Sequence, residues 1–203
     1  MKKQLEIQLS KLKTIINKNI KLEQYQTEGK IAADILWAAH NNNDIKDKIV
    51  ADFGCGNGIL GIGALLLGAK KVYFIDKDKE SIEITKLNNK FNNAEYYECD
   101  ILEFNKKIDT VIMNPPFGVQ NRKADKKFLE KAFMLSKKIY SLHKIESKVF
   151  IEKISQEYNF EIIKIIPFNL RLKKTYKFHK RNIYDVYAGL WILNKRLCPE
   201  FDY

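Results

Sequence analysis

Little in this chain could build a covalent or metal-stapled scaffold. Its 203 residues include three cysteines and three histidines. Cys55, Cys99 and Cys198 show no C-x-x-C spacing and His40, His143 and His179 are scattered, so neither a disulfide framework nor a zinc site follows. Long apolar runs are missing too. The longest, Ile59 to Ala69, falls short of the ~20 residues that span a bilayer. The amino terminus alternates apolar and charged residues instead of presenting a secretory h-region. A cytoplasmic protein without membrane partners is expected. No internal repeat, linker or low-complexity segment breaks the chain, so 1–203 reads as one domain.

What is present is a globular composition with an excess of cations. Hydrophobic residues make up 45% and charged residues 30%, enough apolar side chain for a core. The net charge is +11, which invites a polyanion. The cations cluster. Arg122, Lys123, Lys126 and Lys127 form one group, and Arg171, Lys173, Lys174, Lys177, Lys180 and Arg181 form another, interleaved with Tyr176, Phe178 and His179 and free of acids. Cations with aromatics between them suit phosphates and stacked bases.

Periodicity divides the chain into a helical amino-terminal extension over 1–45 and an alternating βα core over 46–203. Leu5, Leu9, Leu12 and Ile16 predict an amphipathic helix near 3–18, and Ile31, Ile35 and Ala38 a second that ends at Asn41-Asn42-Asn43. Strands are expected at 49–53, 71–75, near 96–100, 108–113, 139–142, 160–166 and 183–193. Helices are expected over 59–67, 79–91, 124–136 and 147–158, with Ile84, Leu87 and Phe91 on one face of the second. This is an α/β, Rossmann-like pattern, a mostly parallel seven-stranded sheet with helices on both faces. Ligands in such sheets bind at the carboxyl ends of the strands.

Two stretches carry chemistry. The strand ending at Met113 runs into Asn114-Pro115-Pro116-Phe117, where neither proline can continue a sheet ladder. The Asn114 side-chain oxygen and the Pro115 carbonyl are acceptors suited to one –NH₂ group, and Phe117 offers a face on which a planar base stacks. Earlier, Gly54, Gly56 and Gly58 leave the backbone open at a helix amino terminus. Gly56-x-Gly58-x-x-Gly61 also matches a dinucleotide fingerprint, but Asp52 immediately before the loop would repel a pyrophosphate and attract a cation. Asp76 and Asp100 end the next two strands, where carboxylates accept from ribose hydroxyls and from an adenine amino group. A nucleoside-bearing cation, S-adenosylmethionine, fits these three acids. S-adenosylhomocysteine would then be the product.

The set Asp52 to Gly58, Asp76, Asp100 and Asn114 to Phe117 resembles the class I methyltransferases of exocyclic amines. With Leu22-Glu-Gln-Tyr-x-Thr27, Tyr140-Ser-Leu-His-Lys144 and Tyr176-Lys-Phe-His-Lys180, it is similar to the methyltransferase-like protein 5 family. These are eukaryotic and archaeal ribosomal RNA adenosine N6-methyltransferases. The resemblance implies that Gln24, Tyr25 and Thr27 bind the methionine end of the cofactor and that Asp52, Gly54, Cys55, Gly56 and Gly58 line it. It further implies that Asp76 holds the ribose, that Asp100 and Ile101 hold the base, and that Asn114, Pro115, Pro116 and Phe117 form the catalytic turn. It also implies RNA, most naturally rRNA, as substrate, and a heterodimer with a small zinc-binding activator that pairs with an edge strand near Tyr96-Tyr97. Three rivals remain. A release-factor glutamine methyltransferase uses a related cradle, DNA offers the same amine, and an RNA-binding assembly factor would keep the fold without needing Asn114, Asp52 or the glycines.

Overall fold

In the computed structural model, residues 1–15, 27–116, 124–173 and 183–196 are described. The core is a seven-stranded sheet in the order β3-β2-β1-β4-β5-β7-β6. Its strands are β1 (Ile49–Phe53), β2 (Lys71–Asp76), β3 (Ala94–Glu98), β4 (Thr110–Met113), β5 (Lys138–Lys144), β6 (Phe160–Lys173) and β7 (Ile183–Lys195). The first five run parallel, and β7 enters antiparallel between β5 and β6. Strand order reverses at β1, where the sheet grows through β2 on one side and β4 on the other, so the crevice for a ligand opens above the end of β1.

Parallel strands buried on both faces read as continuous apolar runs, as β1 and β4 do. Helices α1 (Lys2–Leu9), α2 (Gly29–Asn41), α3 (Ile59–Leu66) and α4 (Lys79–Asn88) contribute to one core around Ile35, Leu36, Leu60, Phe74 and Ile112. The other face holds α5 (Ala124–Leu135) and α6 (Lys148–Glu157), packed around Phe53, Met113, Phe133, Ile151 and Trp191. Each such fully buried large side chain contributes about 1.5–3 kcal/mol of transfer free energy. The extension shares the first core and is also tied to the sheet by polar bonds. The Tyr140 hydroxyl donates to Asp44 at 2.6 Å and accepts from Asn42 at 2.8 Å, and the Thr110 hydroxyl donates to the Asp44 carbonyl at 2.6 Å.

Helix α3 lies close on β2 because Gly61 has no side chain. A Cβ there would stand 2.2 Å from the Phe74 ring, which is fully buried and stacked on Tyr96. The ring has no room to retreat. Gly61→Ala is therefore expected to lower stability by about 1–3 kcal/mol, the usual scale of overpacking, seen as a fall of several degrees in a thermal melt. An unchanged melting temperature would mean that the helix slides freely on the strand.

Three expectations need correction. The first helix stops at Leu9 instead of continuing to 18, because Ser10 turns its hydroxyl onto the Glu6 carbonyl at 2.8 Å and the chain then leaves to dock Lys13 elsewhere. On α4 the buried face is Ser81, Ile82, Thr85 and Asn88, while Leu87 and Phe91 are exposed. Polar residues take the inner face because partners there need hydrogen bonds. Lastly, β6 does not end at 166 but runs to Lys173, pairing Arg171, Leu172 and Lys173 with Asp185, Tyr184 and Ile183. The basic segment thus begins on a long antiparallel arm.

Candidate active site

The glycine loop joins β1 to α3 with its backbone held from three sides. The amides of Gly54 and Cys55 donate to the Ile75 carbonyl at 2.8 and 3.1 Å, extending the β1–β2 contact past the strand end. The Gly56 amide donates to Asp76 at 3.0 Å, and Thr85 of α4 donates to the Gly56 carbonyl at 3.0 Å. Gly56 and Gly58 have φ of +56° and +80°, the left-handed region that favours glycine. A Cβ on Gly56 would meet nothing within 4 Å, so the loop presents open space beside Asp76. An adenosyl group with ribose hydroxyls and a positive charge fits that cradle.

All three strand-end acids also hold backbone amides. Asp52 is 1% exposed and accepts from the Gly61 amide, in the first turn of α3, at 2.8 Å. Burial pushes its pKa up to about 8; the Gly61 bond opposes this and the neighbouring Asp76 adds to it. Without a cation beside it, Asp52 keeps its proton at neutral pH. Asp76 accepts from Gly56 and from Asp78 at 3.0 Å each, and burial raises its pKa as well. Each of its oxygens still has a lone pair for a hydroxyl. Asp100 accepts from the Leu102 amide at 3.0 Å, and Ile101 is buried in the core around Phe53 and Phe104. Cys55 is buried, with its thiol 3.7 Å from the Thr85 hydroxyl; burial, Asp76 and Asp52 push it well above the usual thiol range, so it is no nucleophile.

At the end of β4, Asn114 is half-buried and Pro115 buried. The Asn114 Nδ2 donates to the Thr27 hydroxyl at 2.9 Å, which commits the nitrogen inward and leaves Oδ1 as the available acceptor. Phe117 lies outside the described residues, as do Gln24, Tyr25, Arg122, Lys123, Lys174, Tyr176, Lys177, Phe178, His179, Lys180 and Arg181. Of the remaining cations, Lys126 pairs with Glu130 at 3.5 Å across one turn of α5, Lys127 is exposed, and Arg171 and Lys173 stand on β6. His143 is buried 2.7 Å from Ser141, and burial holds its pKa near about 3, so it stays neutral. Among the described residues no cluster of histidine, cysteine and acids is arranged to hold a metal ion.

Sequence reasoning missed Asn57, Thr85, Asn88 and Lys131. Thr85 and Asn88, three apart on α4, hold the two carbonyls Gly56 and Asn57. Buried Lys131 of α5 donates to the Leu102 carbonyl at 2.9 Å and to Asn105 at 2.7 Å, securing the turn after Asp100. Only the i, i+3 spacing of Thr85 and Asn88 hinted at a polar inner face.

Residues 28–163 match the family model of the methyltransferase small domain. The rRNA N(6)-adenosine-methyltransferase METTL5 of Danio rerio is 37% identical, over 91% of this chain and 94% of that protein. The chain belongs to the METTL5 family. The Drosophila melanogaster member is 33% identical over 85% of this chain and 86% of its own. A crystal structure of a Pyrococcus horikoshii protein superimposes with a TM-score of 0.90 at 40% identity, covering 97% of this chain and 98% of that one. Among the described residues no helix is long and apolar enough to cross a membrane.

Proposed function

We propose that this chain methylates N6 of an adenosine in RNA, most specifically in small-subunit ribosomal RNA, in the cytoplasm. The observation that carries the reading is the Thr27–Asn114 bond, which commits the Asn114 nitrogen and leaves its amide oxygen as the acceptor at the end of β4. Bound S-adenosylmethionine supplies a methyl group on a sulfonium sulfur, already activated for transfer to a nitrogen lone pair. Asp76 holds the ribose, Asp52 faces the positive charge, Asp100 accepts from the adenine, and the loop amides approach closely. Asn114 Oδ1 and the Pro115 carbonyl accept the two N6 hydrogens and turn the nitrogen's lone pair out of conjugation with the ring. As the N6–methyl bond forms and the methyl–sulfur bond breaks to give S-adenosylhomocysteine, the nitrogen becomes positively charged and its proton passes to water, so no general base is required. Phe117 stacks the unpaired base, and the cations of 122–127 and 171–181 neutralise phosphates.

A partner also fits. β3 ends the sheet, and exposed Leu87, Phe91 and Leu102 lie on the elements just before and after it. An open strand edge near exposed apolar side chains suits strand addition by the small zinc-binding activator that the family resemblance implies. The decisive assay is transfer of labelled methyl to ribosomal RNA lacking the modification, with and without an activator, followed by nucleoside digestion. Labelled N6-methyladenosine is expected, with RNA binding that weakens steeply as salt rises. Label on a release-factor glutamine instead would move the chain to the protein-modifying class.

A further inference from the structure

Asn88 closes α4 against the glycine loop, and every polar atom of its side chain is used. Its Oδ1 accepts from the Lys13 amide at 2.9 Å, and its Nδ2 donates to the carbonyls of Lys13 and Asn57, each at 3.0 Å. The Asn57 side chain donates to the same Lys13 carbonyl at 3.1 Å. One residue of the extension therefore has both backbone groups captured by side chains of the loop and of the helix behind it. Such capture needs Lys13 outside a helix, which is where the chain leaves α1.

We infer that Asn88 is a positioning residue for the cofactor, fastening the amino-terminal extension to the glycine loop through the backbone of Lys13. The inference rests on the assignment of that loop to S-adenosylmethionine. The geometry explains how a residue behind the loop reaches a ligand in front of it. Each peptide unit is planar, so holding its carbonyl fixes the direction of the amide on the same plane. Thr85 holds the carbonyl of Gly56 and Asn88 that of Asn57, which sets two successive peptide planes of the loop; the amide of the second plane, that of Gly58, closes the turn onto the Cys55 carbonyl at 2.8 Å, so Asn88 acts through the shape of the loop. Lys13 adds a second anchor from the extension, whose chain returns at Thr27 to orient Asn114. Removing Asn88 leaves the Lys13 amide and the Asn57 carbonyl without these partners, both in a partly or fully buried setting.

Cofactor affinity of the full chain, measured calorimetrically with S-adenosylmethionine, provides the test. Asn88→Ala is expected to weaken binding about tenfold, the scale of one or two lost hydrogen bonds. Turnover at saturating cofactor should stay within about twofold, since the contacts to the methyl acceptor are untouched. Lys13→Pro, which removes the amide that donates to Asn88, fixes φ at position 13 and leaves α4 intact, should weaken binding in the same direction. The double variant should be no worse than the poorer single one. A fall in melting temperature with unchanged affinity in both single variants would reduce Asn88 to a packing residue. Fully additive losses would mean that it acts without Lys13, and either result overturns the inference. Asp76→Ala separates the two levels. If it weakens binding while Asn88→Ala does not, only this inference fails; if neither changes affinity, the cofactor assignment of the loop fails.

Discussion

Asn114→Ala is expected to cut methyl transfer at saturating cofactor and RNA by a hundredfold or more, about the scale on which one preorganised polar contact to developing charge acts. The reason is local. Asn114 follows the last residue of β4, a buried four-residue strand, and its nitrogen is committed to Thr27 at 2.9 Å, so its oxygen points one way without searching rotamers. Cofactor affinity should remain near that of the native chain, because the charge and ribose contacts proposed for the cofactor come from Asp52 of β1 and Asp76 of β2. Thr27→Val keeps the amide but removes its orienting partner, and should fall between the two in turnover. Loss of cofactor binding in Asn114→Ala equal to the loss of turnover would instead make Asn114 chiefly a cofactor residue.

Cofactor binding should also strengthen with pH, through Asp52. Its carboxyl titrates near about 8 because burial outweighs the Gly61 hydrogen bond and Asp76 adds repulsion. A bound sulfonium or ammonium group favours the ionised form, so at neutral pH binding expels the Asp52 proton. The ratio of native to Asp52→Asn affinity is therefore expected to climb by up to about tenfold per pH unit between pH 6 and 8 and to level above. Dividing by the variant removes titration of the ligand's own amine. Calorimetry in buffers of different ionisation enthalpy should register the released proton in the native chain alone. Folding stability moves the opposite way. Between the ordinary 3.8 and about 8 the folded chain holds a proton that the unfolded chain has released, so this contribution is present at low pH and is lost as pH rises through that window. A ratio constant from pH 6 to 9 would show that Asp52 is ionised before the cofactor arrives. Turnover at saturation should vary little over the same range, since Asn114 and Pro115 do not titrate.

Much of this was legible in the residues. Apolar runs bounded by Gly54, Asp76 and Asn114 mark three strand ends, because buried parallel strands tolerate little besides β-branched and aromatic residues until the sheet stops. The seven strands followed from the same alternation, while the edge position of β3, which the sheet order bears out, came from the resemblance to the methyltransferase fold. What failed was helix detail. The stripe Leu5, Leu9, Leu12, Ile16 has helical spacing, yet Lys13 is taken by Asn88 and Asn57. The apolar positions Ile84, Leu87 and Phe91 mislead because α4 turns Thr85 and Asn88 toward the glycine loop, where they satisfy the carbonyls of Gly56 and Asn57.

The sequence alone determined the order of elements, which acids and amides follow the strands, and the cationic surplus, because these depend on residue type and short spacing. Only the tertiary structure decided the protonation of Asp52, the direction of the Asn114 amide and the partners of Lys13. Each depends on parts far apart in the chain: Asp52 on its burial in the packed core, with Asp76 adding to it, Thr27 with Asn114, and Lys13 with Asn88. Burial strengthens such pairings and makes a missing partner costly, and burial is a property of the packed sheet and not of any segment within it.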